Sequence, residues 1–189
     1  MPTSAARPVI LLLSGSLRAG SVNEAVLRTA EAVAAGASAP VTAVRYEGLA
    51  GLPHFNPDDD ADPLPAPVAD LRRAIAGAAA LLVCAPEYAG TLPGSFKNLL
   101  DWTVGGTEIS DKPVAWVNAA APGRGGGAEA TLRTVLGYTG AAVVDAACVR
   151  IPVDRATVAA DGTVTDPAVR ARLAEVLALL AGAAREAAA

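Results

Sequence analysis

The segment Ser14-Gly15-Ser16-Leu17-Arg18-Ala19-Gly20-Ser21-Val22-Asn23 follows the apolar run Val9–Leu13 and precedes a stretch of helical period. A strand, a short loop and a helix in that order gather backbone N–H groups and the positive end of a helix dipole around one point, where an anion is stabilised. The small residues let the backbone approach closely. Ser16, Ser21 and Asn23 offer neutral hydrogen bonds, and Arg18 offers charge-assisted ones of roughly twice the strength. Such a set suits a terminal phosphate monoester. Ser21-Val22-Asn23-Glu24 also reads as a capping box, in which Ser21 satisfies the first helical turn and Glu24 returns the bond; both readings of Ser21 stand. A nucleoside triphosphate fits less well, because Gly15 and Gly20 match the outer glycines of a P-loop but Ser21 stands where its lysine must be.

Two further loops carry candidate chemistry. Pro86-Glu87-Tyr88-Ala89-Gly90-Thr91-Leu92-Pro93-Gly94 follows a third apolar run. Pro86 stiffens it, so the N–H groups of Glu87 and Tyr88 are expected to face the polar edge of a flat heterocycle, with the Tyr88 ring nearby. Lys97 and Asp101, four apart on the helix that follows, read as a solvated ion pair. The glycine-rich stretch Ala119–Ala128 opens another helix. Its Gly123, Gly125 and Ala128 satisfy G-x-G-x-x-A, with Asp145 placed as a ribose-binding acid would be. A dinucleotide fold carries that fingerprint on its first βαβ unit, whereas only one strand follows here. A loop nearly free of bulky side chains suits better a wall along which a flat ring lies. His54, the single histidine, falls in a Pro- and Asp-rich stretch and reads as a loop or interface residue rather than a proton donor. No Ser-His-Asp set emerges, and no metal-ligand cluster surrounds the two cysteines.

Elements of the right kind lie around these loops. Apolar runs at Val9–Ser14, Val41–Arg45, Leu81–Ala85, Val114–Ala119 and Ala142–Arg150 predict five strands. Helical periods at Asn23–Ala35, Pro67–Gly77, Gly94–Thr103, Ala128–Thr139 and Pro167–Ala184 alternate with them, the pattern of a parallel sheet with crossover helices on both faces. In the last helix Asp166 caps, Pro167 opens, and Val169, Leu173, Val176, Leu177 and Leu180 form one stripe that should face the sheet. Pro53–Pro67 is expected to be an irregular surface loop, and Ala160-Asp161-Gly162-Thr163 between Val158 and Val164 a short hairpin turn. The 189 residues suit one domain, residues 1–189, with residues 1–7 a loose tail. Hydrophobic residues make up 52% and charged ones 18%, as a sheet buried on both faces requires. A net charge of -4 with no basic run argues against nucleic acid. Val9–Leu13 is too short for a secretory or membrane segment, so a cytoplasmic protein is expected. Cys84 and Cys148 read as buried strand residues, unpaired and without metal.

Taken together, Gly15-Ser16-x-Arg18-x-x-Ser21-x-Asn23 and Pro86-Glu87-Tyr88 followed by Pro93-Gly94-x-x-Lys97-Asn98-x-x-Asp101-Trp102 resemble the NADPH-dependent FMN reductase family, which includes flavin, quinone, azo-dye and chromate reductases. The resemblance implies a flavodoxin-like three-layer α/β sandwich with a five-stranded parallel sheet in the order 2-1-3-4-5. It implies FMN as cofactor, NADPH or NADH as electron donor, and a small-molecule acceptor such as a quinone, free flavin, azo compound or metal oxyanion. By this resemblance Ser16, Arg18, Ser21 and Asn23 hold the FMN phosphate, with Val22 beside them. Pro86, Glu87 and Tyr88, then Ala89 and Gly90, border the ribityl chain and isoalloxazine, while Ala120, Gly123 and Gly125 lie along the ring. The family usually has Asn where this chain has Ala89, which removes a polar contact near the flavin. Members form homodimers or homotetramers, and the helix with Leu99, Leu100 and Trp102 is expected to serve that interface. The rival reading is a flavodoxin-type electron carrier without a nicotinamide site; carriers show a strongly acidic docking face, and -4 is modest for one.

Overall fold

The computed structural model describes residues 7–36 and 39–188. The expected tail at residues 1–7 therefore lies, but for Arg7, outside the described residues. In chain order the elements are β1 (Val9–Ser14), α1 (Val22–Ala34), β2 (Thr42–Tyr46), α2 (Ala66–Ala76), β3 (Ala80–Cys84), α3 (Gly94–Asp101), β4 (Pro113–Asn118), α4 (Gly126–Tyr138), β5 (Ala142–Val143), β6 (Val149–Arg150) and α5 (Pro167–Ala187). The strands pair in parallel in the order β2-β1-β3-β4-β5, with β6 also on β4. This is the flavodoxin-like arrangement.

Side chains alternate across a strand, and β1 shows how that builds two cores. Ile10 and Leu12 join the cluster under α1 and α5, while Leu11 and Leu13 join the cluster under α2, α3 and α4. The predicted stripe of α5 is wholly buried. The helix is capped by Asp166, whose Oδ1 accepts from the Ala168 N–H at 2.8 Å, and runs three residues past the expected end. Val158 and Val164 pair as expected around the Gly162 turn, and the Val164 N–H donates to Thr29 Oγ1 at 2.8 Å, docking the turn on α1.

Four expectations are corrected. The fifth strand is two pieces: Val114 and Val117 of β4, three apart, face Val143 and Val149, six apart. A 3-10 turn at Asp145–Ala147 takes up the extra length, because the Ala147 and Cys148 N–H groups bond back to Val144 and Asp145 instead of to β4. Cys148 consequently ends that turn, half-buried, rather than lying in a strand, while Cys84 is buried in β3 and both thiols are free. The Pro53–Pro67 loop contains a 3-10 turn at Pro57–Asp59, and α2 begins within it at Ala66. Asp60 is drawn inward to the buried Arg72 guanidinium at 2.6 Å. Finally, Leu99, Leu100 and Trp102 are core residues and not an open interface face. Among the described residues no helix is long and apolar enough to cross a membrane.

Candidate functional site

β1, β3 and β4 are adjacent, and the connections reverse direction between β1 and β3, where an open α/β sheet parts its loops into a crevice. The first two loops start in contact. The Gly15 N–H donates to the Cys84 carbonyl at 2.9 Å, and a Cβ on Gly15 would come within 2.5 Å of the Ala85 Cβ.

The first loop is internally bonded. The Ser16 N–H donates to Ser14 Oγ at 3.3 Å, the Arg18 N–H to Ser16 Oγ at 3.3 Å, and the Ser21 N–H to the Arg18 carbonyl at 3.2 Å. Ser21 Oγ in turn accepts from the Asn23 N–H at 3.2 Å. Among the described residues, the Leu17 amide and the Val22 amide at the head of α1 have no protein acceptor. The capping box forms by half. Ser21 caps α1, but Glu24 turns to Arg45 at 2.6 Å and Arg28 at 3.3 Å, since two cations attract its carboxylate more than an amide already bonded to Arg18. Arg155 Nη2 donates to the Gly20 carbonyl at 3.0 Å and braces the loop from a distant part of the chain. Asn23 Oδ1 accepts from Cys84 Sγ at 3.3 Å. Burial pushes the Cys84 thiol far up, so it remains a protonated donor and holds the Asn23 amide in one orientation.

The second loop differs from expectation. The Tyr88 N–H donates to the Thr91 carbonyl at 3.0 Å and the Thr91 N–H to the Tyr88 carbonyl at 3.1 Å, with φ of 50° at Ala89 and 76° at Gly90. This is a type I′ turn. The Tyr88 amide is used inside it and does not face a heterocycle, and the ring is 52% exposed. Glu87 reaches across to the third loop, where its Oε2 accepts from the Gly127 N–H at 2.7 Å and the Ala128 N–H at 3.2 Å at the head of α4. A Cβ on Gly127 would overlap the Gly90 carbonyl, so glycine lets the two loops close on each other.

The third loop is shaped by Asn118, buried at the end of β4. Its Oδ1 accepts from the Ala120 N–H at 3.0 Å and its Nδ2 donates to the Arg124 carbonyl at 3.3 Å. Asn118, Cys84 and Arg155 were not among the sequence candidates. Asn118 carried a signal, a lone amide ending an apolar strand; Cys84 and Arg155 act only through tertiary contacts.

The loops bound two clefts. One, about 470 Å³, is lined by Ser16, Arg18 and Ser21 together with Arg28, Arg45 and Tyr46. The other, about 360 Å³, is lined by Val22, Asn23, Pro86, Glu87, Ala120 and Gly125, with Arg124 at the third loop. Tyr88, Ala89, Gly90 and Gly123 are exposed and line neither. The candidates thus fall along the β1–α1 loop and along a slot walled by small residues, Ala119–Ala121 and Gly125. Outside the clefts, Lys97 and Asp101 pair at 2.6 Å on the surface as expected. Asp145 pairs with Arg133 at 2.7 Å rather than serving the glycine loop. Asn98 clamps the Phe55 N–H (2.7 Å) and Pro53 carbonyl (2.8 Å), leaving His54 exposed between them.

Residues 8–155 match the family described as NADPH-dependent FMN reductase. A NAD(P)H-dependent FMN reductase of Pseudomonas aeruginosa is 39% identical over 123 residues, 64% of each chain, so the match spans just under two thirds of that relative. An NAD(P)H:quinone oxidoreductase of Solanum tuberosum is 32% identical over 135 residues, 69% of each chain. The solved flavoenzyme NAD(P)H:(acceptor) oxidoreductase of Paracoccus denitrificans superposes with a TM-score of 0.79 at 28% identity, over 95% of this chain and 98% of that one.

Proposed function

This chain belongs to the NADPH-dependent FMN reductase family, and on that premise we propose that it is a single FMN-binding domain that takes reducing equivalents from NADPH or NADH and delivers them to a small-molecule acceptor, foremost a quinone. The observation that carries the reading is the meeting, at the β1/β3 crevice, of a loop with unbonded amides and Arg18 and a slot walled by small residues. FMN fits this donor set. The free Val22 amide at the head of α1, with Ser16, Arg18, Ser21 and Asn23 around it, would hold its phosphate, and the Cys84-held amide of Asn23 presents one fixed polarity. The Pro86 and Glu87 backbone and the small residues Ala120 and Gly125 would border the ring, with Gly123 turning that loop and the Tyr88-Ala89-Gly90 turn at its rim. Bound FMN supplies the two-electron chemistry. The chain's own residues bind, orient and keep the slot at fixed width, and none is assigned as a catalytic acid or base.

The family and the curated relatives carry reductase names, several of them quinone reductases, which favours this reading over an electron carrier. We assign the protein to the cytoplasm, where reduced nicotinamide is available, and to a homodimer or homotetramer, for which Val104 and Tyr138, 65% and 91% exposed, offer apolar surface. Steady-state assay of the FMN-loaded protein with NADPH or NADH and a benzoquinone tests the activity. FMN-dependent quinone reduction is expected, and its absence with both dinucleotides would sink the reading.

A further inference from the structure

The loop between β4 and α4 presents one long side chain between two glycines. Gly123 and Gly125 have φ of 78° and 81°, left-handed backbone that side chains rarely adopt. Arg124 between them is fixed at both backbone polar groups: its N–H donates to the Ala121 carbonyl at 3.0 Å, and its carbonyl accepts from Asn118 Nδ2 and from Arg150 Nη1, each at 3.3 Å. The exposed side chain stands on the lining of the 360 Å³ slot. Neighbouring charges are already engaged. Glu129 pairs with Arg150, and the Glu87 carboxylate caps α4. Among the described residues, no carboxylate forms an ion pair with Arg124. The slot therefore carries, along with the Glu87 carboxylate engaged at the head of α4, one cation that makes no ion pair.

We propose that Arg124 binds a phosphate group of the nicotinamide dinucleotide donor and sets the enzyme's affinity for it. This rests on reading the slot as an FMN site served by such a donor. The guanidinium fork matches phosphate oxygens two at a time, and a neutral quinone offers it no such group.

Calorimetric titration of the FMN-loaded protein with NADP+ and with NAD+ tests the assignment without turnover. Arg124→Gln should weaken NADP+ binding by roughly tenfold to a hundredfold, Arg124→Lys should weaken it less, and FMN affinity should be unchanged. Equal loss for both dinucleotides supports the proposal with the contact on the pyrophosphate. Loss confined to NADP+ supports it with the contact on the 2′-phosphate. Unchanged affinity for both overturns it, and so does a fall in FMN affinity, which would make Arg124 an FMN ligand. A wild-type protein that holds FMN but binds neither dinucleotide overturns the donor reading itself and this assignment with it.

Discussion

An arginine that makes no ion pair on an exposed loop is free to meet an incoming anion, and among the described residues Arg18 is in that position. Its charge is worth about 1.5–3 kcal/mol if it bonds a phosphate. Arg18→Ala should therefore weaken FMN binding by roughly tenfold to a hundredfold while leaving riboflavin binding as it was, in titrations of the apo-protein. Equal affinity of the wild type for FMN and riboflavin would show that the loop does not read phosphate. Ala89 makes a different point. Its φ of 50° places a side chain where L residues pay about 1–2 kcal/mol and where Asn is tolerated. An Asn at this position would suit the turn's backbone, beyond the polar contact expected from its side chain. Ala89→Asn should raise stability by about 1 kcal/mol in urea unfolding, and a loss of stability would show the turn to be unstrained. The residues of the β1–α1 loop were legible as candidates because their types and order suit an anion site. The uses of Cys84 and Arg155 were not, because each partner lies far away in the chain: 61 residues for Cys84 and Asn23, 135 for Arg155 and Gly20.

At the scale of elements, the Glu87 carboxylate joins the β3–α3 and β4–α4 loops by two bonds to the head of α4. Hydrogen bonds to a charged group are worth about 1.5–3 kcal/mol, so Glu87→Ala should cost about that in urea unfolding and should loosen FMN as the slot widens. Glu87→Gln accepts the same bonds without charge and should lose about half as much. An alanine variant as stable as wild type would mean that the loops are held by other contacts. Gly127→Ala should be destabilising for a related reason, since its Cβ meets backbone at Gly90 that cannot rotate away. The strands and helices were legible from period alone, and most ends fall within a residue or two of expectation. The break at Asp145–Ala147 was not, because Asp145 is its single turn-favouring residue and the rest of the stretch from Ala142 to Val149 is apolar. The link from Glu87 to α4 spans 40 residues of sequence, beyond what spacing along a chain conveys.

At the scale of the molecule, the sheet order places the three loop-bearing strand ends side by side, which is why widely separated motifs meet at one crevice. That much follows from alternating apolar runs and helical periods. The division into two clefts depends on how the segment after β2 and the turn near Val158 and Gly162 pack beside α1, and no motif announces that packing. The central claim is that this crevice holds FMN open to a nicotinamide donor and then to an acceptor. Stopped-flow mixing of the FMN-loaded protein with stoichiometric NADPH, and separately NADH, in the absence of oxygen addresses it directly. The account predicts that at least one dinucleotide bleaches the visible flavin absorbance and that a quinone added afterwards restores it. A bound flavin that neither dinucleotide reduces, while dithionite does, would contradict it.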